Sequence, residues 1–159
     1  MDRARELGAD ALQIFPSNPR GWALPVPDEQ EEARLRAAVE THGYPLFLHT
    51  PYVVNFASPV RETVERSFHT ASFAMGRGAR VGAWGVVVHA GNAKDGTPGD
   101  AFEQAAAALR VLVEHHPGPD VLIELTAGAH GAVASRVEHA GALIAAAGGD
   151  PRLRVCLDT

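Results

Sequence analysis

The sequence predicts an α/β fold of the (β/α)8 TIM-barrel type, incomplete, with about five parallel strands. Three observations predict it. Continuous apolar runs alternate with amphipathic helical stretches, the pattern of a parallel sheet covered by helices. The runs recur roughly every 35 residues, one βα unit of a barrel. No glycine-rich phosphate fingerprint follows the first run, which weakens a nucleotide-binding doubly wound sheet, the other fold with this alternation.

The elements follow in order. DRARELGAD reads as the end of a helix that Gly8 stops. ALQIF at 11–15 is the first strand. From Asp28 to Gly43, DEQEEARLRAAVETHG has an N-cap acid, acids in its first turn and a C-terminal glycine. PLFLH at 45–49 is the second strand. The spacing of Val64, Phe68, Ala71 and Met75 predicts a helix over 61–80. WGVVVH at 84–89 is the third strand, and a helix over 100–116 follows. DVLIEL at 120–125 is the fourth strand, a helix spans 132–147, and LRVCL at 153–157 is the fifth strand. No linker or low-complexity stretch interrupts them, so 1–159 reads as one partial barrel domain.

A chain of 159 residues can bury a single core. No apolar run reaches membrane-spanning length and no signal-peptide pattern opens the sequence. The lone Cys156 excludes an internal disulfide and agrees with a cytoplasmic protein. The net charge of -5 is not that of a domain held to nucleic acid by bulk charge. A metal cluster can still supply positive charge locally.

Four successive strands carry a polar residue at the C-terminal end: His49, His89, Glu124 and Asp158. In a barrel these ends meet at one mouth, where active sites lie. Two imidazoles and a carboxylate form a standard zinc set. A second carboxylate can hold a further divalent ion, and glutamate can bridge two ions. Taken singly, a strand-end histidine is more often a hydrogen-bonded structural group, and Asp158 could cap a following helix. Glu124 inside an apolar strand needs a cation or donors. The other histidines, at 42, 69, 115, 116, 130 and 139, read as surface residues, with His130 close enough to Glu124 to support the site.

At these residues the sequence resembles the endonuclease IV (deoxyribonuclease IV) family of zinc-dependent apurinic/apyrimidinic endonucleases, in the xylose isomerase-like TIM barrel superfamily. The resemblance rests on QIFPSNPRGW, HTPYVVNFASP, VVHAGN, IELTAG and VCLDT in that order, and runs from about Leu7 to Thr159. It implies that the five strands match barrel strands two to six. It implies metal-assisted hydrolysis of the phosphodiester 5′ to an abasic site, with Glu124 catalytic. His49, His89 and Glu124 would hold one zinc; Glu124 would bridge to a second, bound by Asp158. The partner would be abasic-site double-stranded DNA, contacted by Arg20, Tyr52 and Asn55.

The sequence departs from the family pattern in two ways. Leu125 stands where the family usually has Asn, and HAGNAKDG lacks a second histidine after the ligand. The family's remaining strands, and the ligands they carry, have no counterpart in this sequence. One complete zinc site of the family's three is therefore expected. The chain reads as an incomplete, inactive fragment, with open sheet edges that could self-associate. The competing readings are a sugar isomerase or epimerase of the same barrel group and a non-catalytic metal-binding remnant.

Overall fold

The computed structural model describes residues 2–126 and 131–158, so His130 and Thr159 lie outside the described residues. The elements are α1 (Asp2–Glu6), β1 (Leu12–Ile14), α2 (Glu29–His42), β2 (Leu46–His49), α3 (Arg61–Val81), β3 (Gly85–His89), α4 (Pro98–His115), β4 (Asp120–Glu124), α5 (Val137–Ala146) and β5 (Leu153–Cys156). The strands form one sheet in the order β1-β2-β3-β4-β5, every neighbouring pair parallel. All five predicted strands are present, each shorter than its apolar run by one or two residues.

The two faces of the sheet have different jobs. Alternate residues Leu46, Leu48, Val86, Val88, Val121 and Ile123 are fully buried in the main core. They pack with Ala71, Ala74 and Met75 of α3, Leu109 and Leu112 of α4, and Leu143 of α5. The intervening positions Phe47, His49, Val87, His89, Leu122 and Glu124 form the opposite face. On this face Val87 and His49 are buried and the other four are partly exposed. Leu122 closes over Gly85, whose missing side chain leaves the room: a Cβ there would lie 2.9 Å from Leu122 Cδ1.

Local signals set the helix ends. Asp28 Oδ1 accepts from the N–H groups of Gln30 and Glu31 at 2.9 and 3.0 Å, and Gly43 closes α2 at φ 70°. Glu32 of α2 is buried against α3, where Arg80 donates to it and Arg77 lies alongside. The Arg80 hydrogen bonds hold the Glu32 carboxyl below its usual range although burial pushes the other way.

The predicted helix over 132–147 starts instead at Val137. The preceding residues are held by backbone pairing with other loops. Val133 N–H donates to Gly91 O at 3.1 Å, Thr126 N–H donates to Ala134 O at 3.0 Å, and Ala132 forms an antiparallel bridge with Asn92. Tertiary hydrogen bonds there override a helical composition.

Candidate metal centre

The strand register assembles the cluster. His49 ends β2 and pairs with Val87. Two residues further along β3, on the same face, His89 pairs with Glu124. The three side chains converge, with one ligand atom from each within 4.8 Å of the others. Glu124 Oε2 lies 3.2 Å from His49 Nε2 and in closer contact with His89 Nε2. His49 is 3% exposed; His89 and Glu124 are half-buried.

The His49 ring is fixed from its other side. Its Nδ1 lies 2.6 Å from the Thr50 carbonyl, which can only accept, so Nδ1 donates there and Nε2 is turned toward Glu124. A cation between Nε2 and the carboxylate oxygen would be shared by both. A backbone partner on the far nitrogen is the usual support of a metal-ligating histidine. Burial lowers the His89 pKa below 6.5, a stronger effect than the opposing pull of Glu124. His89 is thereby held as a neutral nitrogen donor, and the His2Glu set fits zinc.

Aromatic rings surround the donors. Phe15 stacks 5.1 Å from His49 and 5.3 Å from Tyr52, and the His49 and His89 rings meet edge-on at 5.3 Å. Tyr52 lies 6.0 Å from His89 and is 56% exposed at the mouth. A cavity of about 560 Å³ opens over the cluster, lined by His49, His89, Glu124, Tyr52, Thr126 and Asp158. Asp158 is exposed on that wall and is not part of the three-residue group. Burial, then Glu124 and Asp158, push the Cys156 thiol up, which keeps it protonated and a poor ligand.

The sequence-predicted DNA residues fall in three different settings. Tyr52 stands in the cavity. Arg20 is exposed on the neighbouring loop, which is tied in by Tyr52 N–H donating to Pro19 O at 2.9 Å. Arg20 lines neither this cavity nor the one beside it. Asn55 is 8% exposed and its amide faces protein backbone. Its Oδ1 accepts from Ala57 N–H and Asn92 N–H at 3.0 Å each, and its Nδ2 donates to Asn92 O at 3.1 Å. This clasp joins the loop after β2 to the loop after β3. It requires glycine at 91, where φ is +101° and a Cβ would lie 2.0 Å from Asn55 Oδ1.

Sequence reasoning missed Phe15, Gly91, Asn92 and Thr126. The only available signal for Gly91 and Asn92 was a Gly-Asn pair just past a strand. Nothing marked Phe15 as a wall of the site until the β1 loop was seen to fold over β2.

Comparison with known proteins agrees with this architecture. The family model described as xylose isomerase-like TIM barrel matches residues 1–159. A probable endonuclease 4 of Streptomyces avermitilis is 39% identical over 160 residues, covering 98% of this chain and 52% of its own length. The crystal structure of endonuclease IV from Thermus thermophilus superposes with a TM-score of 0.80 at 34% identity, over 99% of this chain and 55% of that one. A D-psicose 3-epimerase from Clostridium cellulolyticum has a TM-score of 0.79 at 16% identity, over 99% and 56%, a likeness of fold. The chain spans about half the length of the relatives it matches.

Proposed function

The chain belongs to the xylose isomerase-like TIM barrel family, and on that premise we propose that its metal centre serves endonuclease IV-type chemistry. The substrate is double-stranded DNA with an abasic site, and the reaction is hydrolysis of the phosphodiester on its 5′ side. The observation that carries this reading is the buried His49–His89–Glu124 cluster beneath the Tyr52 loop. It lies in a chain that is 39% and 34% identical to proteins named endonuclease 4 and endonuclease IV.

His49, His89 and Glu124 would hold the zinc, and Asp158 would extend the ligand set from the same cavity wall. A bound zinc supplies Lewis acidity toward a phosphoryl oxygen. The Thr50 carbonyl keeps His49 in the binding tautomer. Glu124 is the catalytic carboxylate, placed to take up a proton beside the phosphate. Tyr52 presents a ring where an abasic nucleotide leaves space, and turning that nucleotide out is cheapest where no base is stacked. Arg20 meets the DNA backbone from the adjoining loop, and Asn55 contributes to DNA binding by setting the Tyr52 loop. Among the described residues no helix is long and apolar enough to cross a membrane.

The test starts with metal and binding. About one zinc per chain is expected, with loss of binding in Glu124→Gln and His49→Ala, read by elemental analysis. The zinc-loaded chain should bind an abasic duplex in preference to an intact one. Incision by these 159 residues alone is expected to be weak, because one metal site neutralises less phosphoryl charge than three. No abasic preference, together with epimerisation of a ketohexose, would transfer the site to the sugar-epimerase reading. Zinc binding with neither activity would leave a metal-binding remnant.

A further inference from the structure

A second cavity of about 470 Å³ flanks the metal cavity and shares Tyr52, His89 and Thr126 with it. Its remaining walls include Trp22, Asn92 and Lys94. Lys94 is the only lysine in the sequence. It is also the only lysine or arginine among the residues lining either cavity. It is exposed, and no ion pair holds it among the described residues.

Its backbone is unusual as well. Lys94 has φ +49°, the only non-glycine residue with positive φ among the described residues. The turn is pinned by Ala93 N–H donating to Gly131 O at 2.9 Å and Gly96 N–H donating to Ala93 O at 2.7 Å. A side chain is disfavoured in this region and glycine is not, so such positions mark sites where a side chain has a task. The charge around it defines the task. The chain is acidic overall, and Glu124 and Asp158 add negative charge at the mouth. An anionic substrate approaching from this side meets one free ammonium.

We propose that Lys94 is a substrate-anchoring residue that seats a phosphate group in the cavity flanking the metal cluster. The inference deepens the nuclease reading and rests on it for the identity of the substrate: the phosphate belongs to a phosphodiester backbone. A compact ammonium suits a phosphate whose contacts shift as the strand moves, since it binds as a point charge without a fixed fork. Asn92 Oδ1, buried without a hydrogen-bond partner in the wall of the same cavity, can accept from a hydroxyl beside that phosphate.

The single lysine makes the test direct. Reductive methylation with labelled formaldehyde keeps the charge and gives one lysine signal, whose shift reports titration with inorganic phosphate. Trp22 fluorescence in a Trp84→Phe background reports the same cavity independently, because the chain has only these two tryptophans. Lys94→Gln and Lys94→Gly should weaken phosphate binding about tenfold, the loss of one charged contact, while Lys94→Arg stays within a few-fold. Lys94→Gly should unfold at an equal or higher denaturant concentration, since it relieves the left-handed backbone. For an abasic duplex, the slope of log affinity against log salt should fall by about one. Phosphate binding unchanged in Lys94→Gln, or no saturable phosphate response in the unsubstituted chain, overturns the assignment. Lys94-dependent phosphate binding without abasic preference keeps the lysine and removes the nuclease reading. Abasic preference indifferent to Lys94 does the reverse.

Discussion

At the scale of single residues, protons would compete with the proposed zinc for His89. Burial lowers its pKa below 6.5, so in the folded chain the imidazole stays neutral further into acid than in the unfolded chain. Between those two values the unfolded state binds the extra proton. Stability should therefore be flat above about 6.5 and fall as the pH drops below it, while zinc affinity should hold until the pH passes the lowered folded value and fall only beyond it. Zinc titrations and denaturant midpoints at stepped pH would show this, and His89→Gln should flatten the stability profile. An affinity that rises on acidification would contradict the donor role. The three residues of the cluster were legible in the sequence because each is a polar residue ending an apolar run, where burial without a partner is costly. Asn55 was legible only as a polar residue of a loop. Its partner Asn92 lies 37 positions away in sequence, and no local pattern shows which way an amide turns.

At the scale of elements, the clasp between the β2 and β3 loops controls the mouth. Gly91→Ala places a Cβ on the Asn55 amide oxygen and forces a left-handed φ on a side chain. A cost of about 3 kcal/mol is expected, from lost buried hydrogen bonds and strain together. Denaturant unfolding measures the cost, and hydrogen exchange at the Ala57 and Asn92 amides reports whether the loops part. An unchanged midpoint with protected amides would show that the clasp is dispensable. The strands were readable because a buried parallel strand is apolar along its whole length. The start of α5 was not. Residues 132–136 have a helical composition, and their partners Gly91, Asn92 and Thr126 come from two other loops. Periodicity reports which face is apolar, and it carries no information about competing backbone partners.

Across the whole molecule, β1 and β5 each pair on one side only among the described residues. Unpaired edges offer ready hydrogen bonds to another chain. Phe47 and Leu122, on the face that carries His49, are partly exposed, so association would shelter apolar surface as well as edges. We therefore expect concentration-dependent self-association, measured by sedimentation velocity over a wide concentration range. A constant monomer mass would show that the edges are protected. The open sheet was legible in the sequence as a count of apolar runs, and its strand order follows from connections that place sequential strands side by side. Which face packs the main core was not legible, because alternate residues on both faces are apolar and only packing tells them apart.

His49 and Glu124 are 75 positions apart, and everything that aligns the cluster lies between β2 and β4. The coordination geometry is thus a property of three adjacent strands and their backbone ladder. It behaves as a portable cassette. Recombination that moves this interval intact would carry the His49–His89–Glu124 cluster into a new barrel, and the segments on either side would be free to change what surrounds it.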